Sequence, residues 1–133
     1  MRQQIYLLLI ILTTNTNVYS QDSSFINKNI SSFYGLNSRE LELWRKDING
    51  CKSFRSKLVD TLPKNKLIIG MPKKLFFILF GKPDITNSQD EIYTYYSGCT
   101  CDKEGKHLKN TEFIMMIFLF VDGKLFSLSY SMT

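Results

Sequence analysis

Apolar residues change their spacing along this chain, and each spacing predicts a different element. From Ile5 to Leu12 they are continuous; from Leu41 to Leu62 they recur at helical steps; from Glu91 onward they crowd into aromatic and β-branched runs. In the helical stretch, Asn37 and Glu40 make a capping pair, and Leu41, Trp44 and Ile48 share one stripe. Arg45 and Lys46 suit a last turn, and Asn49-Gly50 suits a left-handed exit. A first helix is therefore expected over about residues 38–48, with Trp44 as its core anchor. A second is expected from Cys51, with Phe54, Leu58 and Leu62 inward, Lys52, Arg55, Ser56 and Asp60 outward, and Pro63 as the stop. The two would form a helical hairpin.

The segment Gly70 to Pro83, GMPKKLFFILFGKP, predicts a third, short and almost fully buried helix over Leu75 to Phe80. Pro72 fits the first turn, where its missing N–H goes unneeded, and Gly81 fits the exit before Pro83.

Strands are expected at Glu91–Tyr96, Thr111–Val121 and Lys124–Ser131, with Asp122-Gly123 as a two-residue hairpin turn. Counting outward from that turn pairs Val121 with Lys124, Phe120 with Leu125, Leu119 with Phe126, Ile117 with Leu128 and Met115 with Tyr130. One face, Phe113, Met115, Ile117, Leu119, Phe126, Leu128 and Tyr130, is wholly apolar and is expected to meet the helices. The other carries Ile114, Met116, Phe118, Phe120 and Leu125, interrupted by Ser127 and Ser129. A face this apolar, left open, marks a binding or oligomerisation surface. Met116, Phe118, Phe120, Leu125, Ser127 and Ser129 are thus the candidate partner-binding residues. Cover by Phe25, Ile26, Phe33 and Tyr34 from the preceding segment is the competing expectation. The expected architecture is a two-layer α+β domain, residues 37–131, with a helical hairpin and a short third helix on a three-stranded antiparallel sheet.

The opening apolar run, behind Arg2 and ahead of Val18-Tyr19-Ser20, has the form of a secretory signal peptide over residues 1–20 cleaved near Ser20. It is far shorter than the roughly 20 apolar residues of a membrane span, and no cysteine follows it to take a lipid, so neither kind of anchor is expected. Residues 21–36, rich in Ser and Asn, are expected to form a flexible tether. The destination is secreted or periplasmic. The whole chain carries a net charge of +5, spread without a dense basic run, which argues against nucleic-acid binding.

Three cysteines, Cys51, Cys99 and Cys101, follow the signal segment. An oxidising compartment favours a disulfide. A Cys99–Cys101 ring would be small and strained, so Cys51 is expected to pair with one of them, Cys101 being favoured and Cys99 the alternative. The odd thiol is buried and inert, or a route to a homodimer. Cys99-x-Cys101 with His107 is too closely spaced and lacks a fourth ligand for zinc, so no metal or other cofactor is expected and His107 reads as a solvated loop residue. No nucleophile–base pair, bracketed carboxylates or phosphate-cradling loop is recognisable, and the chain is not expected to be an enzyme. Asp47 and Arg45 read as a solvated helix face or a local cap.

Gly70-Met71, Gly81-Lys82-Pro83 and Phe120-Val121-Asp122-Gly123-Lys124-Leu125, in that order, resemble the SmpA/OmlA (BamE) family, and the repeat of the β-lactamase inhibitory proteins is similar. The likeness covers about residues 65–130. It implies a helix-helix-sheet layer structure and a role in holding other proteins, in envelope assembly or on an inhibited enzyme, without catalysis. The chain departs from the assembly lipoproteins in lacking the lipidated cysteine, and from the inhibitors in having one copy of the unit. The expected function is an exported protein-interaction module, with a homodimer through the open sheet face as one form. The alternative is a carrier of a small apolar ligand in the gap over Ser127 and Ser129.

Overall fold

The computed structural model describes residues 23–133. The signal segment and its expected cleavage near Ser20 lie outside the described residues. Among the described residues three α-helices, α1 (Ser23–Phe33), α2 (Ser38–Lys46) and α3 (Lys73–Phe80), precede strands β1 (Ile85–Asn87), β2 (Ile92–Gly98), β3 (Ile114–Val121) and β4 (Lys124–Met132). The strands form an antiparallel sheet in the order β1-β2-β3-β4. The α+β class stands, with four strands where three were expected. β1 has only three residues, all exposed, which leaves no burial pattern in the sequence to mark it.

The expected tether is helical over Ser23–Phe33. Ile30 and Tyr34, four residues apart, bury on one side, and burial pushes the Tyr34 phenol above its usual pKa. The Ser-Asn composition hid this short amphipathic stripe. α1 packs against α2 and α3, on the helical side of the sheet. Tyr34 therefore does not cover the open face; the side chains of Phe25 and Ile26 lie outside the described set.

α2 begins as its sequence demands. Asn37 Oδ1 accepts from Arg39 N at 2.9 Å and Glu40 N at 3.1 Å, and Leu41 and Trp44 face the core. The second helix of the expected hairpin is absent: Ile48–Gly50, Arg55–Leu58, Leu62–Lys64 and Lys66–Ile68 are short 3₁₀ turns. Ser53 sits at φ 60°, a left-handed conformation that breaks any helix from Cys51. What holds this path is Asp47, fully buried, whose carboxylate accepts from Lys52 N at 2.7 Å and Arg55 N at 3.0 Å. Arg55, expected on the wet side, is buried instead, over the rings of Trp44 and Tyr95 at 5.3 and 5.2 Å.

Arg55 Nη1 donates to Asp84 Oδ2 at 2.6 Å and Tyr96 O at 3.0 Å, while Nε donates to Trp44 O at 3.0 Å. Asp84 also accepts from Tyr96 N at 2.8 Å and Asn49 N at 3.1 Å. The pair is nearly inaccessible to water, at 2% and 5% side-chain exposure, so its desolvation is offset by these added bonds. One residue ties the helical turns to the start of the sheet.

α3 is the expected short buried helix, extended by Lys73 and Lys74. Leu75, Phe76, Leu79 and Phe80 are buried. Phe76 stacks on Phe80 at 4.6 Å and meets Phe118 at 4.7 Å and Phe120 at 5.0 Å. Arg45, expected to be solvated, lies along Gly81 and donates from Nη1 to Leu79 O at 2.6 Å, satisfying a C-terminal carbonyl of α3. Its partial burial lowers the guanidinium pKa.

The hairpin turn is as expected: Val121 faces Lys124 and Phe120 faces Leu125, with Asp122 and Gly123 at φ 53° and 73°. Beyond it a bulge inserts Phe126. Leu119 faces Ser127, Phe118 faces Leu128, Ile117 faces Ser129, Met116 faces Tyr130 and Met115 faces Ser131. The expected pairs Leu119–Phe126, Ile117–Leu128 and Met115–Tyr130 are each off by one residue, and a one-residue shift flips a strand's faces.

On β3, and at Leu125 and Phe126, the expected assignment of the two faces is also reversed, while beyond the bulge β4 keeps it, with Leu128 and Tyr130 on the helical side and Ser127 and Ser129 on the open one. Met116, Phe118, Phe120 and Leu125 are 0–2% exposed and form the core with Trp44, Tyr95 and α3. They are not a free binding surface. Phe118 and Phe120 complete the aromatic cluster around Phe76, which no smaller side chain on the other face would fill.

Candidate functional site

The face of the sheet turned away from the helices is built in rows across the strands. Ile85, Thr94, Ile117 and Ser129 form one row; Asn87, Ile92, Leu119 and Ser127 a second; Tyr96, Met115 and Ser131 a third. Ser127 and Ser129, expected on the open face, do lie on it, but beside Ile117 and Leu119 instead of Phe118 and Phe120. No Asp, Glu, Lys or Arg occurs in these rows. Ile92, Met115, Ile117 and Leu119 are half-buried by one another, and Phe126, released outward by the bulge, is 62% exposed. A sheet face this continuous and uncharged, partly covered at one end where His107 packs on Tyr96, is the type of patch that marks a contact surface.

One end of the face is fixed by the loop after β2. Cys51 and Cys101 form a disulfide with Cα atoms 5.5 Å apart, the favoured pairing, while Cys99 is free. Cys101 and His107 face one another as a bridge, and Asp102 Oδ1 accepts from Glu104 N and Lys106 N to shape the tip. His107 is not a solvated loop residue. Its Nε2–H donates to Asn49 O at 2.8 Å, and its ring lies 4.3 Å from Tyr96 and 6.3 Å from Phe113. Cys99 N donates to Gly50 O at 3.2 Å, and a Cβ on Gly50 would sit 2.6 Å from Tyr96 O, so only glycine admits this approach. The disulfide, the histidine and the glycine together clamp the loop to the turn after α2.

The sulfurs of Cys51 and Cys101 and a nitrogen of His107 lie within 4.8 Å of one another. Bonded to each other, the sulfurs offer no thiolate to a metal. Burial pushes the Cys99 thiol above its usual pKa. Asp47 and Asp84, the buried carboxylates, have their oxygens occupied by the fold. Their role was missed because Arg55 lies off the apolar stripe, where periodicity predicts water, and because Asp84 lies 29 residues away in sequence.

A separate groove of about 440 Å³ lies between the α1–α2 connection and the 3₁₀ turns, lined by Leu36, Glu40, Leu58, Lys57, Thr61 and Lys64 among others. It is remote in sequence from the open sheet face. Among the described residues no helix is long and apolar enough to cross a membrane. Comparison with protein-family models, with curated proteins and with solved structures gives no match for this chain.

Proposed function

We propose that this chain is an exported, non-catalytic protein-interaction module that presents the open face of its sheet to a partner protein, in envelope assembly or in inhibition of that partner. The observation that carries this reading is the uncharged surface of Ile92, Met115, Ile117, Leu119 and Phe126, held on a rigid sheet whose other face is the core. Burying such side chains against a partner contributes about 25 cal/mol per Å² before the costs of association. The Cys51–Cys101 disulfide fits an oxidising compartment. The resemblance of the Gly70 to Leu125 motifs to the SmpA/OmlA (BamE) family points to the same role.

The test is Leu119→Glu, which places a charge in the patch without entering the core. Affinity for a partner recovered from the exported compartment is expected to fall at least tenfold while the far-UV spectrum and melting transition are kept. Unchanged affinity would overturn the reading. A small apolar ligand over Ser127 and Ser129 would appear instead as a copurifying mass in native mass spectrometry, lost in Ser129→Phe.

A further inference from the structure

β4 is the last strand of the sheet; among the described residues the Leu62–Lys64 turn packs near it, and its outer edge carries backbone hydrogen bonds only near the hairpin turn. There Gly70 N donates to Leu125 O at 2.7 Å, Leu125 N donates to Met71 O at 2.9 Å, and Pro72 bridges Lys124. At the far end, Phe113 and Thr133 exchange both backbone hydrogen bonds, at 3.0 and 3.1 Å, so Thr133 points into the sheet. In an antiparallel ladder this direction alternates, and Leu128, Tyr130 and Met132 therefore turn their N–H and C=O groups outward. Among the described residues those groups have no partner.

Edge strands are ordinarily guarded by lysine, proline or an inward charge. This one has no Lys, Arg, His, Asp, Glu or Pro from Leu125 to Thr133, and its bulge lies upstream of the unpaired portion. Tyr130 and Met132 are 49% and 67% exposed. The segment Leu128-Ser129-Tyr130-Ser131-Met132 also reads nearly the same in both directions. A two-fold axis at Tyr130 sets Leu128 against the partner's Met132, Ser129 against the partner's Ser131, and Tyr130 against the partner's Tyr130. That register makes outward-pointing residues face each other, as isologous pairing requires. Shifting it by two residues would bring the partner's Met132 onto the bulge at Phe126.

We propose that two copies of this chain pair edge to edge through β4, antiparallel about Tyr130, as one continuous sheet. The pairing forms about six backbone hydrogen bonds, two from each outward-facing pair. It keeps apolar side chains on the helical side and serines on the open side, so the open faces of both copies join. The inference is independent of what those faces bind.

Sedimentation velocity on the purified protein tests it. A concentration-dependent dimer is expected, weakened at least tenfold by Tyr130→Lys and by Tyr130→Pro; the proline deletes only an outward N–H and spares the ladder to β3. In a Cys99→Ser background, Tyr130→Cys is expected to form an interchain disulfide on air oxidation, because directly opposed residues of such a pair have Cα atoms about 5.5 Å apart. A monomer at all concentrations overturns the proposal. So does a dimer that survives both Tyr130 variants, one lost with Cys99→Ser alone, or one dissociated by Leu119→Glu with the Tyr130→Cys crosslink absent.

Discussion

Leu119 faces Ser127 across the β3–β4 hairpin, with Phe126 bulged outward beside them. This one pairing decides which side chains are free: it sets Ser127 and Ser129 with Ile117 and Leu119 on the open face, and Leu128 and Tyr130 with Phe118 and Met116 on the helical side.

Substitutions at adjacent β3 positions should therefore behave differently. Phe118→Ala removes a fully buried ring and is expected to cost about 3–5 kcal/mol. Ile117→Ser, on the half-buried open face, is expected to cost about 1 kcal/mol. Urea unfolding monitored by Trp44 fluorescence measures both.

The buried ion pair gives a second expectation. Asp84→Asn leaves Arg55 buried without its counter-charge and is expected to destabilise by about 3–5 kcal/mol. Because Asp84 also accepts from the backbone of Asn49 and Tyr96, the double variant Arg55→Met/Asp84→Leu should recover little of that loss. A double-mutant cycle of unfolding free energies checks it.

Reducing the Cys51–Cys101 disulfide, which joins residues 50 apart in sequence, is expected to lower stability by about 4 kcal/mol in the chain-entropy account. Cys99→Ser should be near neutral. Thermal melts with and without reductant, in wild type and in Cys99→Ser, separate the two sulfur populations.

Stability should also depend on alkaline pH. Burial pushes the Tyr95 hydroxyl, which donates to Gly81 O at 2.6 Å, well above the usual tyrosine value, and Tyr34 shifts the same way. A raised folded pKa means the native state holds protons that the unfolded state releases. Its stabilising contribution is complete below about pH 10 and declines as pH rises beyond it. Tyr95→Phe should lessen that decline, at a cost of about 1 kcal/mol at neutral pH for the lost hydrogen bond. Chemical denaturation at pH 8 to 11 measures the slopes.

Local signals in the sequence carried far: the Asn37 cap, the Trp44 anchor, the Pro72–Gly81 helix, the Asp122-Gly123 turn and the Cys51–Cys101 pair are all present. What failed was non-local. β3 is apolar at every position from Ile114 to Val121, so alternation gives no preference between its faces, and the aromatic cluster on α3 makes the choice. A bulge adds a residue without a local signature, and Phe126 reads like any strand residue. The buried Arg55 follows from acids distant in sequence, so periodicity placed it in water. The open sheet face was legible as apolar and serine-bearing, with only Ser127 and Ser129 of the six expected residues lying on it.

The central claim is that partner contact occurs through the Ile117–Leu119–Phe126 face. A photo-crosslinking side chain placed at Leu119, and in parallel at Leu67, which is 62% exposed on the 3₁₀ turn near Gly35, tests it in cells. The account predicts a discrete crosslinked partner from position 119 that disappears with Ile117→Glu, and none from position 67. Equal crosslinking from both positions, or a crosslink at 119 that persists with Ile117→Glu, would contradict it.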